Sequence, residues 1–184
     1  MARRGMLRVI GGAAAALAVP GAARAALTAG DEKVLSFYHL HTREKGKFRF
    51  WRGADYDYAG LAEIDYILRD FRTGDIRAID SRLLHLLHAL RAELDSTGRF
   101  EVISGYRSPR TNADLRAKGR GVAAGSLHML GMAIDVRLPG RDTVLLRHVA
   151  RLRRAGGVGY YPKYNFVHLD TGRVRHWDAW PRRG

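Results

Sequence analysis

Three residues in the second half of the chain have the types needed to hold a catalytic metal ion. His128 and Asp135 lie in the stretch GSLHMLGMAIDV, with no other polar side chain between them, and His168 follows in FVHLD. A hydrolytic zinc site uses three His, Asp or Glu ligands and keeps a fourth position for water. Because the chain contains no cysteine, a metal site must be built from these side chains. The set predicts zinc-dependent hydrolysis.

The residues between His128 and Asp135 are small or apolar, which would let these two polar side chains converge. A tight turn at Gly131 would fold the backbone back, so that the histidine of the loop meets Asp135 on the following strand. Ala133 shares a face of that strand with Asp135 and leaves room beside it. The third ligand should come from a neighbouring strand, as His168 would, with Asp170 facing the same side.

Three longer blocks carry a family resemblance: SGYRSPRTNADL, SLHMLGMAIDV and GGVGYYPKYNFVHLDTGRVRHW. They resemble the signature blocks of the murein endopeptidase K-like zinc peptidases, which belong with the D-Ala-D-Ala metallopeptidases and the hedgehog-type fold. The family pattern S-x-H-x-x-G-x-x-x-D runs from Ser126 to Asp135, and the later H-x-D is met by His168 and Asp170.

This resemblance implies one zinc ion per chain, held by His128, Asp135 and His168, in a periplasmic enzyme that cuts peptide cross-links of peptidoglycan. Arg107, in GYRS, matches the family's basic residue that stabilises the tetrahedral oxyanion or holds a substrate carboxylate. A guanidinium group suits both tasks because its planar donors pair with negative charge. The cross-link that is cut, between D-alanine and diaminopimelate or between two diaminopimelates, depends on the shape of the pocket and stays open at this point.

The chain departs from many relatives at the position of the general base. Three residues before the last histidine ligand, where those relatives have Asp or Glu, it has Asn165, which cannot accept a proton. Asp170 is the nearest carboxylate, and two alternatives remain for it: it acts as the base, or it orients a ligand histidine. His176 is a weaker candidate for a catalytic group or extra ligand. Trp177 and Trp180 are expected to pack in the core or at its rim.

Hydrophobic periodicity predicts the elements that must position these residues. Residues 34–51 alternate around a Lys-Gly turn and predict a short two-stranded ribbon. Apolar spacing predicts helices at 58–70, at 78–94 with Asp80 or Ser81 as N-cap and Gly98 as stop, and at about 142–154. The other predicted elements are strands at FEVIS, GMAIDVRL, GVGYY, NFVHLD and RVRHW, and a short helix with Pro109 in its first turn.

Helices that come first and mostly antiparallel strands that come later predict an α+β domain, in which a small sheet carries the metal site and helices pack on one side. At 184 residues the chain can bury its own core as one domain. His39 and His41 share a strand face with no third ligand nearby, which favours an exposed polar face over a metal site. His85 and His88 are expected to be partly buried or on the surface.

Residues 1–25 have the pattern of a cleaved export signal, with Arg3, Arg4 and Arg8 before an apolar stretch and a small-residue site ending at Ala25. RRGMLR resembles a twin-arginine signal, which a receptor reads as an address. The apolar stretch is shorter than the about 20 residues of a spanning helix. We therefore expect a periplasmic zinc peptidase domain at residues 26–184, exported by the twin-arginine route, with no permanent membrane span.

The chain is strongly basic, with 32 Lys and Arg against 18 Asp and Glu, and loss of residues 1–25 would leave 28 against 18. Such a surplus attracts polyanions, and an exported protein meets anionic cell-wall polymers and lipid head groups in place of nucleic acid. The family resemblance implies the peptide stems of peptidoglycan as the substrate. Besides a murein endopeptidase, two functions stay open: a D,D-carboxypeptidase or dipeptidase that trims terminal D-alanine, and a non-catalytic, zinc-containing wall-binding module, which Asn165 would permit. The oligomeric state is not predicted.

Overall fold

A computed structural model describes residues 31–179 of the chain. The predicted export signal at residues 1–25 and Trp180 lie outside the described residues. Within residues 31–179, no helix is long and apolar enough to cross a membrane.

The strands, in chain order, are β1 Glu32–His39, β2 Lys45–Arg52, β3 Asp55–Tyr56, β4 Phe100–Ser104, β5 Ala133–Arg137, β6 Gly157–Tyr161, β7 Phe166–Asp170 and β8 Arg175–Asp178. They form one sheet in the order β3-β2-β1-β4-β5-β7-β6-β8. The pairs β1/β4 and β6/β8 are parallel and the others antiparallel. The predicted hairpin is confirmed as β1 and β2. In addition, β1 pairs with β4, which joins this hairpin to the main sheet.

Four α-helices are described: α1 Tyr58–Ile67, α2 Ser81–Glu93, α3 Pro109–Ala117 and α4 Thr143–Arg153. Each is preceded by an Asp or Ser whose side chain accepts a hydrogen bond from a backbone N–H of the first turn. Asp80 is the N-cap of α2 and Pro109 opens α3, as predicted. The predicted stop at Gly98 was wrong: α2 ends at Glu93, and Asp95 adopts a left-handed conformation just beyond it (φ 45°).

One face of the sheet is apolar, and α1, α2 and α4 pack against it. Alternate strand residues on this face are buried: Leu35, Phe37, Phe100, Val102, Ile134, Val136, Val158, Val167 and Leu169. Each buried side chain of this size stabilises the fold by about 1.5–3 kcal/mol. The prediction of an α+β domain with helices on one side is confirmed for these three helices, whereas α3 places Leu115 at a cavity on the other face. The hedgehog-type assignment stays a prediction.

The four histidines at the edge of this core differ in burial. His39 is fully buried, so the prediction of an exposed face was wrong for it: it continues the inward alternation of Leu35 and Phe37. His41 lies beyond the end of β1, is exposed, and stacks on Phe71. His85 and His88 on α2 are half-buried, as expected.

Candidate metal centre and active site

The sheet face opposite the apolar core carries two of the three predicted metal ligands. Asp135 on β5 is paired with His168 on β7, His168 with Gly159 on β6, and Gly159 with Trp177 on β8. Directly paired residues point to the same face of a sheet. These four residues therefore form one row across four neighbouring strands, which we call the site row.

The third predicted ligand, His128, reaches the site row from a single 3-10 turn at Leu127–Leu130. This turn ends at Gly131 in the left-handed conformation (φ 69°), so the predicted tight turn is confirmed. A Cβ atom at Gly131 would also lie 2.3 Å from the backbone oxygen of Ala78, which is three residues before α2. Glycine is required there both for its backbone angle and for this close approach.

The three side chains converge on a common point. His168 Nδ1 lies 2.8 Å from Asp135 Oδ1 and 3.2 Å from His128 Nε2, and His128 Nε2 lies 3.3 Å from Asp135 Oδ1. A tetrahedral zinc ion with bonds near 2 Å would set its ligand atoms about 3.3 Å apart. The donor set therefore fits such an ion. Within residues 31–179 this is the one group of three His, Asp or Glu side chains that could hold a metal.

Each histidine is oriented by an acceptor on the far side of its ring. His128 Nδ1 lies 2.7 Å from the backbone oxygen of Gly105, and His168 Nε2 lies 3.1 Å from Asp170 Oδ2. With these N–H groups donating outward, His128 Nε2 and His168 Nδ1 are left as the atoms that face the metal position. Burial alone would lower the pKa of His168, but its hydrogen bonds to Asp135 and Asp170 raise that pKa above its usual range.

Asp170 is fully buried behind His168, and both of its carboxylate oxygens accept hydrogen bonds. Its Oδ1 accepts from the backbone N–H groups of Gly157 and Gly172, each at 2.9 Å. Arg175 donates to both carboxylate oxygens, at 3.0 and 2.7 Å. Burial opposes ionisation of Asp170, but the hydrogen bonds from His168, Arg175 and the two backbone groups hold its pKa well below its usual range. Asp170 is not among the residues that line the cavity described below.

Two glycines of β6 make room for the side chains that cross this strand. A Cβ atom at Gly157 would lie 2.4 Å from Asp170 Oδ2 and from Arg175 Nη1. A Cβ atom at Gly159 would lie 2.5 Å from ring atoms of Trp177. The absence of both side chains lets Arg175 reach Asp170 and lets the Trp177 ring lie 5.2 Å, centroid to centroid, from that of His168.

Two other candidates from the sequence lie away from the ligand cluster. Asn165 adopts the left-handed conformation (φ 52°) between a 3-10 turn and β7, and its side-chain oxygen accepts a hydrogen bond from Thr143 on α4. His176 is exposed and alternates along β8 with Trp177, so it points away from the site row. Trp177 was expected in the core or at its rim, but it lies on the opposite face of the sheet, in the site row, and lines the cavity described below.

A cavity of about 830 Å³ opens over the three ligand residues. Among its described lining residues the only acid is Asp135, whereas five are basic: Arg72, Arg107, Lys118, Arg120 and Arg175. Arg107 is buried, and its Nη1 lies 3.4 Å from Asn112 Oδ1 on α3. Its Nε has no hydrogen-bond partner within the described part of the chain. Burial lowers the pKa of Arg107, and the charge of Asp135 acts in the opposite direction.

Four residues of this site were not predicted from the sequence: Gly157, Gly159, Tyr161 and Arg175. A signal was present in GVGYY, where two glycines and a tyrosine recur at every second position and therefore share one strand face. Small residues at that spacing indicate that other side chains cross the strand.

The family model described as peptidoglycan L,D-endopeptidase MepK matches residues 27–177. The chain belongs to this family. It is 42% identical to the peptidoglycan L,D-endopeptidase MepK of Escherichia coli (strain K12) over 175 residues, which cover 95% of this chain and 96% of that protein. The probable peptidoglycan L,D-endopeptidase MepK of Haemophilus influenzae is 36% identical over 170 residues, which cover 91% of each chain.

Membership of the MepK family makes the chain a peptidase and confirms the prediction of a murein endopeptidase K-like enzyme that acts on peptidoglycan. The zinc ion, the roles of the individual site residues and the twin-arginine route stay predictions.

Proposed function

We propose that this chain is a zinc-dependent endopeptidase of the periplasm that hydrolyses the L,D cross-link between two diaminopimelate residues of peptidoglycan. The observation that carries the proposal is the buried cluster of His128 Nε2, Asp135 Oδ1 and His168 Nδ1 beneath a basic cavity. The choice of bond follows the names of the relatives, which are L,D-endopeptidases.

His128, Asp135 and His168 would hold the ion in this proposal. Zinc, when bound, supplies a Lewis acid and lowers the pKa of water. The chain's own contribution is to fix the ligands, orient the substrate and offer donors to the developing charge. Arg107 suits the last task because it is buried beside the ligands and its Nε is not engaged within the described residues.

Of the two roles open to Asp170, we propose that it orients His168 and does not accept the proton of the reaction. A carboxylate offers about four lone-pair sites. Those of Asp170 face two backbone N–H groups, both terminal nitrogens of Arg175 and the ring of His168. With its acceptor sites used and its pKa lowered, it is a poor base.

The basic lining of the cavity fits the peptide stems of peptidoglycan as substrate. These stems carry carboxylates, and the lining offers five cationic side chains with Asp135 as the one acid among the described residues. Export by the twin-arginine route, with cleavage after Ala25, would bring the domain to this substrate. Nucleic acid is not a partner in this proposal, although the overall charge alone would permit it.

The test is a digest of L,D-cross-linked muropeptide dimers by zinc-loaded protein, followed by mass spectrometry. Conversion of dimers to monomers is expected for the wild type and is expected to disappear with a chelator and in His128→Ala. The matched control is His148→Ala, which removes an exposed histidine of α4 and should leave the conversion unchanged.

Three outcomes would contradict the proposal. Shortened stems with intact cross-links would indicate a carboxypeptidase. Retention on insoluble peptidoglycan without released fragments would indicate a wall-binding module. Cleavage that survives in both the chelator and His128→Ala would exclude the metal cluster as the catalytic centre.

A further inference from the structure

We infer that Tyr161 is a catalytic residue whose hydroxyl donates a hydrogen bond to the oxygen of the scissile carbonyl as that oxygen becomes an oxyanion. The inference rests on the proposed function and deepens it. Tyr161 forms no covalent bond with the substrate and keeps its proton throughout.

The first support is the position of Tyr161 on β6. It is two residues beyond Gly159, which belongs to the site row, and it therefore faces the same side of the sheet. Its strand partner is Phe166, on which its ring stacks with centroids 4.5 Å apart. Tyr161 lines the same cavity as His128, Asp135 and His168.

The second support is the direction of its hydrogen bonds. Trp177 Nε1, which can only donate, lies 3.2 Å from the hydroxyl oxygen of Tyr161. The oxygen of Tyr161 is therefore the acceptor of this bond, and its own hydrogen remains for another partner. Trp177 itself contacts the ring of His168 and the guanidinium of Arg175. The hydroxyl is thus held in place relative to the ligand cluster.

The third support is electrostatic. Burial raises the pKa of Tyr161 above its usual range. The hydroxyl therefore stays protonated and acts as a donor.

The fourth support is the arrangement of donors around the ligands. Arg107 follows β4, and Tyr161 ends β6, while Asp135 and His168 lie on β5 and β7 between those strands in the sheet. Donors would therefore approach the reacting carbonyl from two sides of the ligand cluster. Oxyanion sites gain most of their effect from such donors held in place before the reaction.

The test is Tyr161→Phe, which removes the hydroxyl and keeps the ring on Phe166. Loss of one oxyanion donor lowers kcat by about 10²–10³-fold in comparable sites, and we expect a loss of this size with KM and bound zinc unchanged. A phosphinate analogue of the cross-link, which mimics the tetrahedral state, should lose affinity for the variant by a similar factor. Tyr160→Phe is the matched control, because Tyr160 precedes Tyr161, faces the core side of β6 and lies beneath Arg147. It should keep the wild-type kcat.

A kcat for Tyr161→Phe within about threefold of the wild type would overturn the inference, because removal of one oxyanion donor lowers kcat by much more. An unchanged affinity for the phosphinate would overturn it for the same reason. A parallel loss of zinc would overturn it as well, because the tyrosine would then support the metal site and not the reacting oxygen. If zinc-loaded wild type itself leaves the cross-links intact, the proposed function fails and this inference fails with it. Activity in the wild type that Tyr161→Phe retains contradicts this inference alone.

Discussion

At the residue scale, the geometry of the ligand cluster depends on side chains that do not contact the metal position. His168 presents Nδ1 to the cluster because its Nε2 is occupied by Asp170, and Asp170 is held in turn by the fork of Arg175. Arg175 also lies over the Trp177 ring, 5.1 Å from its centroid. These contacts fix both the tautomer and the ring orientation of His168.

The substitution Asp170→Asn tests this orienting role. It keeps the size of the side chain but removes the charge that pairs with Arg175 and accepts from His168. Partners of this kind contribute about 10–100-fold to metal affinity, so the zinc affinity should fall by that factor. The measurement is a competition titration of the purified protein with a chelator of known affinity.

The control for this titration is Asp178→Asn. Asp178 pairs with Arg147 and Arg151 near the protein surface, at 2.9 and 2.6 Å, and surface ion pairs contribute little. Its zinc affinity should match the wild type. An Asp170→Asn protein that binds zinc as tightly as this control would show that Asp170 does not orient the ligand.

At the element scale, β6 is the strand across which the site is assembled. Three side chains lie on its site face or cross it, those of Tyr161, Trp177 and Arg175. This is possible because Gly157 and Gly159 present no Cβ atom. Neighbouring β7 supplies His168, one of the proposed ligands, and the parallel partner β8 supplies Trp177 and Arg175.

Gly159→Ala should disrupt this assembly. Its Cβ atom would overlap the Trp177 ring at 2.5 Å, so the indole must leave both His168 and Tyr161. Overpacking of this kind costs about 1–3 kcal/mol of the free energy of unfolding, which urea denaturation would measure. Peptidase activity should fall at the same time, because Tyr161 loses the donor that positions its hydroxyl.

Gly125→Ala is the control for the stability measurement, because a Cβ atom there meets no other atom within 4 Å. Its unfolding free energy should stay close to that of the wild type. A Gly159→Ala protein as stable and as active as the wild type would mean that Trp177 is not needed in its observed position.

The sequence indicated which three side chains come together and predicted most of the helices and strands, because both depend on local patterns. His128, Asp135 and His168 stood out by their types and their apolar surroundings, and the helices by their spacing of leucines. The sequence could not predict which ring nitrogen faces the metal, because this depends on Gly105 and Asp170 in three dimensions. The roles of Trp177 and Arg175 depend on the parallel pairing of β8 with β6, and short strand patterns do not contain their partners.

At the scale of the whole molecule, the sheet separates a charged, basic cavity from an apolar core, and a buried histidine lies on the core side. His39 is fully buried at the end of β1, where its Nδ1 accepts from the backbone N–H groups of His41 and Thr42. Its Nε2 has no hydrogen-bond partner among the described residues. The Phe71 ring packs edge-on against it.

This burial predicts how the stability of the protein depends on pH. Burial is the main cause that lowers the pKa of His39 from 6.5 to about 4. The positive charges of His41, Arg69 and Arg72 lower this pKa further, and only Glu44 opposes them. Between these values the unfolded chain binds a proton that the folded protein does not, so the free energy of unfolding falls as the pH falls from 6.5 to 4. A shift of this size corresponds to roughly 3 kcal/mol. Above pH 6.5 and below pH 4, His39 adds no further dependence on pH.

His39→Asn isolates this effect, because an amide oxygen can still accept from the backbone of residues 41 and 42 but does not titrate. Urea unfolding of the wild type and of His39→Asn between pH 4 and pH 7 should give two curves that approach each other as the pH falls. The exposed His176 provides the control, since His176→Asn should follow the wild-type curve at every pH. Parallel curves for His39→Asn and the wild type would mean that His39 takes up a proton without loss of the fold. In that case the buried end of β1 admits water, and the apolar core ends before His39.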